Sequence, residues 1–450
     1  MSAPPLSRAA SAPAAESGLE RAIGPFTLGA TAVNLAVGAG IFALPAAVAV
    51  ILGPSAVLAY LLCGVLVMMV LACFAEVGSQ VTRSGGAVVY VEEAFGPFAG
   101  FLAWVTFSLG FSVVADAAIA NVMLDAMATF APALAGGAPR VAVLVLLFGG
   151  LAAVNVRGVR QGARVSVATT VAKLLPLVLV ILLGMAAIDW RQLAITELPT
   201  LEQLGAGSLL LFFAFAGMES ALTASGEIRD PARTVPRGLL GGVAALVLLY
   251  LALQVTAQGV LGPELAAQQE APLATLAERI AGPVGRTVIL GCTVLAVFGA
   301  LSADMLGAPR ALLAAAESGT LPSALARIHP RWRTPWVAIV AFAAATLLLA
   351  ITGAFRPLAV LGSISLLLVY LAVCLATLQL RRTRPRTPGT FRVPGGPVVP
   401  LLAAATVVWV LSNSTRAEAA AMALLLGAGS LYYLVRTRLG TRPGARPPTP

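Results

Sequence analysis

The sequence predicts an all-α polytopic membrane protein with about twelve transmembrane helices, and three observations carry that prediction. Of the 450 residues 59% are hydrophobic and only 11% charged, with a mean hydropathy of +0.93, far outside the range of soluble domains. Apolar runs near the ~20 residues that cross a bilayer as a helix recur along the whole chain, with none of the alternating ~10-residue pattern of a membrane barrel. With the N-terminus placed inside, 22 of the 29 Lys and Arg lie on the inner side and 6 on the outer, while Lys173 lies within a helix. One missed helix would invert every later loop, so this bias supports the segment count and a cytoplasmic location of both termini together. The same topology accounts for the net charge of +10 without a nucleic-acid partner.

Residues 1–20 are rich in Ala, Ser and Pro and lack an apolar core, which predicts a disordered tail rather than a cleavable signal. The first segment, 23–51, contains Gly38-Ala39-Gly40-Ile41-Phe42 and Pro45. Glycine and proline weaken a helix, and broken helix at membrane depth is tolerated where it lines a cavity, so the stretch reads either as a binding site or as close helix packing. The second segment, 54–80, leads into a loop at 83–97 that mixes charge with Tyr90, Val91 and Phe95, the pattern of a short amphipathic piece at the inner surface. The third, 97–131, carries Asp116, and after the fourth, 139–156, the fifth, 164–187, carries Lys173. Ionisable groups at that depth are costly and therefore functional candidates.

The sixth segment, 203–225, holds a second irregularity, Phe212 to Ser220, in which Gly217 stands near the acidic Glu219. Paired interruptions in two halves of a chain are the best sequence pointer to a transporter's binding site. The seventh spans 236–261, and the eighth, 283–313, places Asp304 ahead of Gly307 and Pro309. The last four are 335–353, 357–380, 397–414 and 418–436, with a polar tail at 437–450. Cys63, Cys73, Cys292 and Cys374 fall in apolar segments without metal-like spacing and read as packing residues. The only histidine, His329, lies in an Arg-rich loop, which leaves no cluster for a metal, a cofactor or an enzymatic nucleophile.

Four motifs in order now carry a resemblance. They are Gly38 to Pro45; Ala75-Glu76 with Ser84-Gly85-Gly86 and Phe95-Gly96-Pro97; Phe215 to Glu219 with Asp230 to Pro236; and Glu317 to Pro322 running through His329-Pro330 to Thr334-Pro335. In these the chain resembles the amino acid-polyamine-organocation transporters, in particular the bacterial amino acid permeases, over roughly residues 20–436. The resemblance implies the leucine-transporter fold, with an inverted repeat of segments 1–5 (21–187) and 6–10 (203–380) and segments 11 and 12 (397–436) outside it. It implies a multi-pass permease of the cytoplasmic membrane, not an enzyme, that moves an amino acid by alternating access as a symporter or antiporter.

By motif position, the resemblance implies that the amides of Ala39, Gly40 and Ile41, beside Gly38, hold a substrate carboxylate. Carbonyls near Ala36, Phe213 and Ala216, beside Gly217, would hold the α-ammonium. This agrees with the physics of helix ends, where freed amides attract anions and freed carbonyls cations. Phe213 matches an aromatic ring that closes the occluded site. Lys173 matches a lysine standing where sodium binds in sodium-coupled relatives, which implies sodium-independent proton symport or exchange. It would tie segment 5 to the broken segment 1 and titrate with transport, or it would form a fixed ion pair with Asp304. Glu219 matches an acidic residue used in gating or packing. Asp116 and Asp304 depart from the family pattern and would receive a cationic side chain, so cationic or neutral amino acids are expected, with a polyamine or amine exchanger as the alternative.

Overall fold

Glycine and proline divide the apolar runs much as their conformational preferences dictate. The computed structural model describes residues 22–81, 83, 85–158, 163–317, 319–384 and 389–438, with backbone alone at 163–172, 224 and 226. The expected N-terminal tail, nearly all of the C-terminal one, and Ser84 and Ser318 of the loop motifs lie outside these residues. The first segment is two helices, α1 (Pro25–Ala36) and α2 (Gly40–Leu52), and Gly53, at φ +51°, turns the chain into α3 (Ala56–Gly78). After α4 (Ala87–Phe95), α5 (Pro97–Val105) runs through a π-helical stretch, Thr106–Ser112, into α6 (Val113–Ala128). Next come α7 (Gly137–Arg157) and α8 (Ala163–Gly184).

The sixth segment begins with α9 (Leu201–Leu211), capped reciprocally by Thr200 and Gln203, and continues as two 3₁₀ stretches, Phe212–Phe215 and Met218–Glu227. The chain closes with α10 (Pro231–Leu261), α11 (Pro272–Glu317), α12 (Trp336–Thr352), α13 (Phe355–Thr383), α14 (Val398–Leu411) and α15 (Arg416–Arg438). Among the described residues, seven stretches are long and apolar enough to cross a membrane, and four shorter apolar helices accompany them. Segment 6 is among the short ones because its break leaves neither half the ~20 residues a crossing needs.

Small residues set the closest helix contacts. A Cβ on Gly29 of α1 would lie 2.7 Å from Gly238 O of α10, and one on Gly238 would lie 2.7 Å from Pro25 O. On the same α10, Val247 fills the space that a Cβ on Gly64 of α3 would need. Such seams let dispersion and backbone contacts replace the hydrophobic drive that lipid does not supply. At the membrane side where α1 begins, Ile23 pairs with Ile228 in a parallel bridge, so the start of segment 1 is fastened to the end of segment 6.

Two expectations change. The loop helix at 87–95 does not lie on the surface: Ala87, Val89, Tyr90 and Val91 are buried, and Tyr90 lies against Gly78 and edge-on to Phe74. Its acids stay accessible, Glu92 and Glu93 pairing with Arg83, and Glu93 also with Arg384. The eighth segment is preceded by further helix from Pro272, joined to it at Gly282, whose φ of +68° bends the chain just before Pro283. On the same side as Ile23, Glu76 and Arg381 form a buried ion pair (2.5 and 2.6 Å), and Glu76 also accepts from Val393 N at 2.8 Å. This ties α3 and α13 to the α13–α14 connection.

Candidate substrate site at two helix breaks

The first break releases backbone groups in a defined order. Helix α1 stops at Ala36 because Val37 leaves helical geometry at ψ 80°, and Gly38 N turns back to Ala36 O at 2.7 Å. Phe42 N donates to Ala39 O, whereas the amides of Ala39, Gly40 and Ile41 have no acceptor among the described residues, as expected at a helix start. Because Gly38 N has turned away, Asn34 O lacks its helical donor, and Lys173 Nζ on α8 donates to it instead. Lys173 is 8% exposed and forms no ion pair with Asp304 among the described residues.

The second break lies against the first. Ala216 is extended at ψ 151° and Gly217 has φ +103°, a conformation that side chains disfavour. A Cβ on Gly217 would lie 2.9 Å from Leu35 O, and one on Gly40 would lie 3.0 Å from Ala214 Cα and 3.3 Å from Phe213 Cδ1. Each break therefore presents a glycine to the backbone of the other. Glu219 Oε2 accepts from Gly217 N at 3.1 Å and from the Tyr370 hydroxyl at 2.6 Å, so the amide released by the second break is taken by a carboxylate of the same turn. Glu219 Oε1 is buried without a partner.

Two groups that sequence reasoning missed join the breaks. The Tyr250 hydroxyl on α10 stands 3.2 Å from Ala36 O and 3.0 Å from Ala214 O, so its one proton serves a carbonyl from each broken segment. Asn34 supplies the carbonyl for Lys173 and keeps a buried, unpartnered Oδ1 of its own. A lone asparagine four residues before Gly38 was a signal for the second; nothing local marks Tyr250. Phe213 packs edge-on to Phe355 of α13, with ring centroids 5.9 Å apart, and fills the space beside Gly40 and Gly362.

Asp116 and Asp304 stand on two helices that pack together, α6 and α11. Asp116, on α6 just after the π-helical stretch, is 4% exposed with Oδ2 unpartnered, and Asp304, on α11, is half-buried. No hydrogen bond or ion pair joins either carboxylate to the breaks or to a cation among the described residues. Ala36, Gly38, Ala39, Gly40, Ile41, Phe213, Ala216 and Gly217 are thus brought together, with Lys173 and Glu219 attached to them from behind. Asp116 and Asp304 take no part in those hydrogen bonds.

Residues 23–423 match the family described as Amino acid permease. A serine/threonine exchanger of Bacillus subtilis is 28% identical over 438 residues, covering 94% of this chain and 98% of that protein. An uncharacterized transporter of Mycobacterium tuberculosis is 34% identical over 417 residues, covering 90% of this chain and 89% of its own length. A branched-chain amino acid permease of Bacillus subtilis is 24% identical over 431 residues, covering 88% and 89%.

Proposed function

The chain belongs to the amino acid permease family, and from that premise we propose that it carries an amino acid across the cytoplasmic membrane by alternating access, without sodium, as an exchanger or proton symporter. The observation that carries the reading is the juxtaposition of the breaks at Val37–Ala39 and Ala216–Gly217, with three amides open on one side and carbonyls converging on the other. In this reading Ala39, Gly40 and Ile41 bind the α-carboxylate. The α-ammonium competes with Tyr250 for Ala36 O and approaches the carbonyls of Phe213 and Ala216. Phe213 closes over the bound substrate against Phe355.

Two further observations support the finer points. Lys173 supplies a cation at a carbonyl freed by the first break, where a bound metal cation would otherwise be expected, which favours sodium independence and gives a group able to exchange a proton during the cycle. The names of two of the relatives above point to neutral amino acids, while the carboxylates Asp116 and Asp304 on the packed helices α6 and α11 favour a cationic side chain or, for a substrate lacking a carboxylate, a diamine. With both termini inside, the N-terminal face carrying most of the arginines is cytoplasmic.

Reconstitution into liposomes tests all of this. Uptake of serine, threonine, leucine, arginine, lysine and putrescine is followed with sodium present or replaced, and with a pH gradient or an internal counter-substrate imposed. At least one amino acid should accumulate unchanged by sodium removal and be stimulated by protons or by counter-substrate. Failure of every amino acid to compete sinks the reading, and putrescine outcompeting all of them would favour an amine exchanger. Loss of uptake without sodium would refute the role given to Lys173.

A further inference from the structure

The connection between α11 and α12 holds a feature to which the proposed substrate site assigns no role. His329 N donates to Thr334 O at 2.8 Å and Arg333 N to His329 O at 2.9 Å, closing residues 329–334 into a tight loop. His329 Nδ1 accepts from the amides of Arg331 and Trp332, its ring stacks on Trp332 at 4.2 Å, and the Arg331 guanidinium lies 5.9 Å from the same indole. Thr334 Oγ1 donates to Val156 O at 2.6 Å, which docks the loop beside Arg157 at the end of α7. Arg157, Arg327, Arg331 and Arg333 are exposed, and none forms an ion pair among the described residues.

We propose that this loop binds the headgroup of an anionic phospholipid, with Arg331 and Arg333 on its phosphate and Trp332 and Trp336 in the interfacial layer. Arginine presents a fork of donors to phosphate, and tryptophan settles at the headgroup level. A lipid fits better than an acidic protein because the loop continues into apolar surface: Ile328, Trp332 and Trp336 are exposed, and Val340 and Leu348 farther along α12 are 47% and 63% exposed. A lipid bound by the loop would lay its chains along that strip. The contacts within the loop mean that the guanidiniums are carried on a preformed frame, which limits the ordering cost of binding.

The test uses the full-length protein in lipid nanodiscs. Quenching of Trp332, isolated as the difference between the wild type and Trp332→Phe, is measured with phosphatidylglycerol or phosphatidylcholine brominated on the upper acyl chain. Phosphatidylglycerol should quench at several-fold lower mole fraction, with the preference weakening as salt rises. Arg331→Gln/Arg333→Gln should reduce the preference by about five-fold per arginine removed, with the melting temperature unchanged. Should that double variant fail to fold, Arg331→Lys/Arg333→Lys takes its place, and it should keep part of the preference. Equal quenching by the two lipids in the wild type, an undiminished preference in the Gln double variant, or, where that variant does not fold, an undiminished preference in the Lys double variant would overturn the proposal.

Discussion

Gly217→Ala is the sharpest perturbation of the paired breaks. The residue sits at φ +103°, and a side chain held in so sparsely populated a region costs about 1–3 kcal/mol. Its new Cβ would meet Leu35 O at 2.9 Å and Leu35 C at 3.3 Å, backbone atoms that cannot swing aside as the end of a side chain would, adding about 1–3 kcal/mol of overpacking. Together these amount to about 2–6 kcal/mol, carried by the contact between the two breaks. Because ~1.4 kcal/mol is a factor of ten, even the lower end predicts a loss of uptake well beyond ten-fold. The control is Gly241→Ala on α10, where a Cβ meets nothing within 4 Å and alanine favours the helix by up to ~1 kcal/mol. Uptake and melting temperature are compared for both variants in the same liposomes. Gly217→Ala transporting within about three-fold of wild type while Gly241→Ala behaves alike would refute the reasoning, since the magnitude rests on the close approach of the breaks.

Other perturbations separate the groups around the site. Tyr250→Phe removes the one proton shared by Ala36 O and Ala214 O, so stability should fall by about 1–3 kcal/mol in chemical denaturation, and an unchanged midpoint would show that water takes over. Glu76→Gln leaves Arg381 buried beside a neutral group, and the thermal midpoint should drop by the equivalent of about 3–5 kcal/mol, more than on exchanging the exposed Glu264 that pairs with Arg279. Lys173→Arg keeps the charge but cannot release a proton; substrate should still bind in a thermal-shift assay while uptake is lost, and uptake with an unchanged pH profile would argue against a titrating lysine. Asp116→Asn should weaken competition by arginine and lysine at least ten-fold relative to leucine, and equal effects on all three would place the carboxylate outside side-chain recognition.

Both breaks were legible because glycine inside an apolar run is a conformational statement in itself. Gly38, Gly40 and Gly217 have few reasons to interrupt a membrane helix other than an irregular backbone, and Gly53 ends α2 in the same way. The bend at Gly282 was equally open to reading from the dipeptide Gly282-Pro283. What could not be read were partners fixed by packing over long separations. Tyr250 is an unremarked aromatic in an apolar segment until α10 lies against α1, and Asn34 gains its meaning only when Lys173 arrives from α8. The α4 helix looked interfacial because its composition is amphipathic; the apolar face found protein instead of lipid, and that choice depends on Gly78 leaving room for Tyr90.

A broken membrane helix must answer both the donors and the acceptors it releases, because lipid answers neither. Here the protein supplies one ionisable side chain to each break, a lysine to one and a glutamate to the other. Lys173 takes a carbonyl freed at the end of α1, and Glu219 takes the amide of Gly217 at the other break. Left over are amides at the start of α2 and the carbonyls of Ala36 and Ala214, which share the neutral hydroxyl of Tyr250, Ala36 O also taking the amide of Gly38. Under the proposed function that remainder would receive a zwitterion, its carboxylate at the amides and its ammonium at the carbonyls. An ammonium can displace a neutral hydroxyl from Ala36 O more readily than it could displace a lysine, and a carboxylate meets amides with no competing acid. Under the proposed function Lys173 and Glu219 would serve the substrate without touching it, each occupying a group released by a break while leaving the α2 amides to an amino acid backbone.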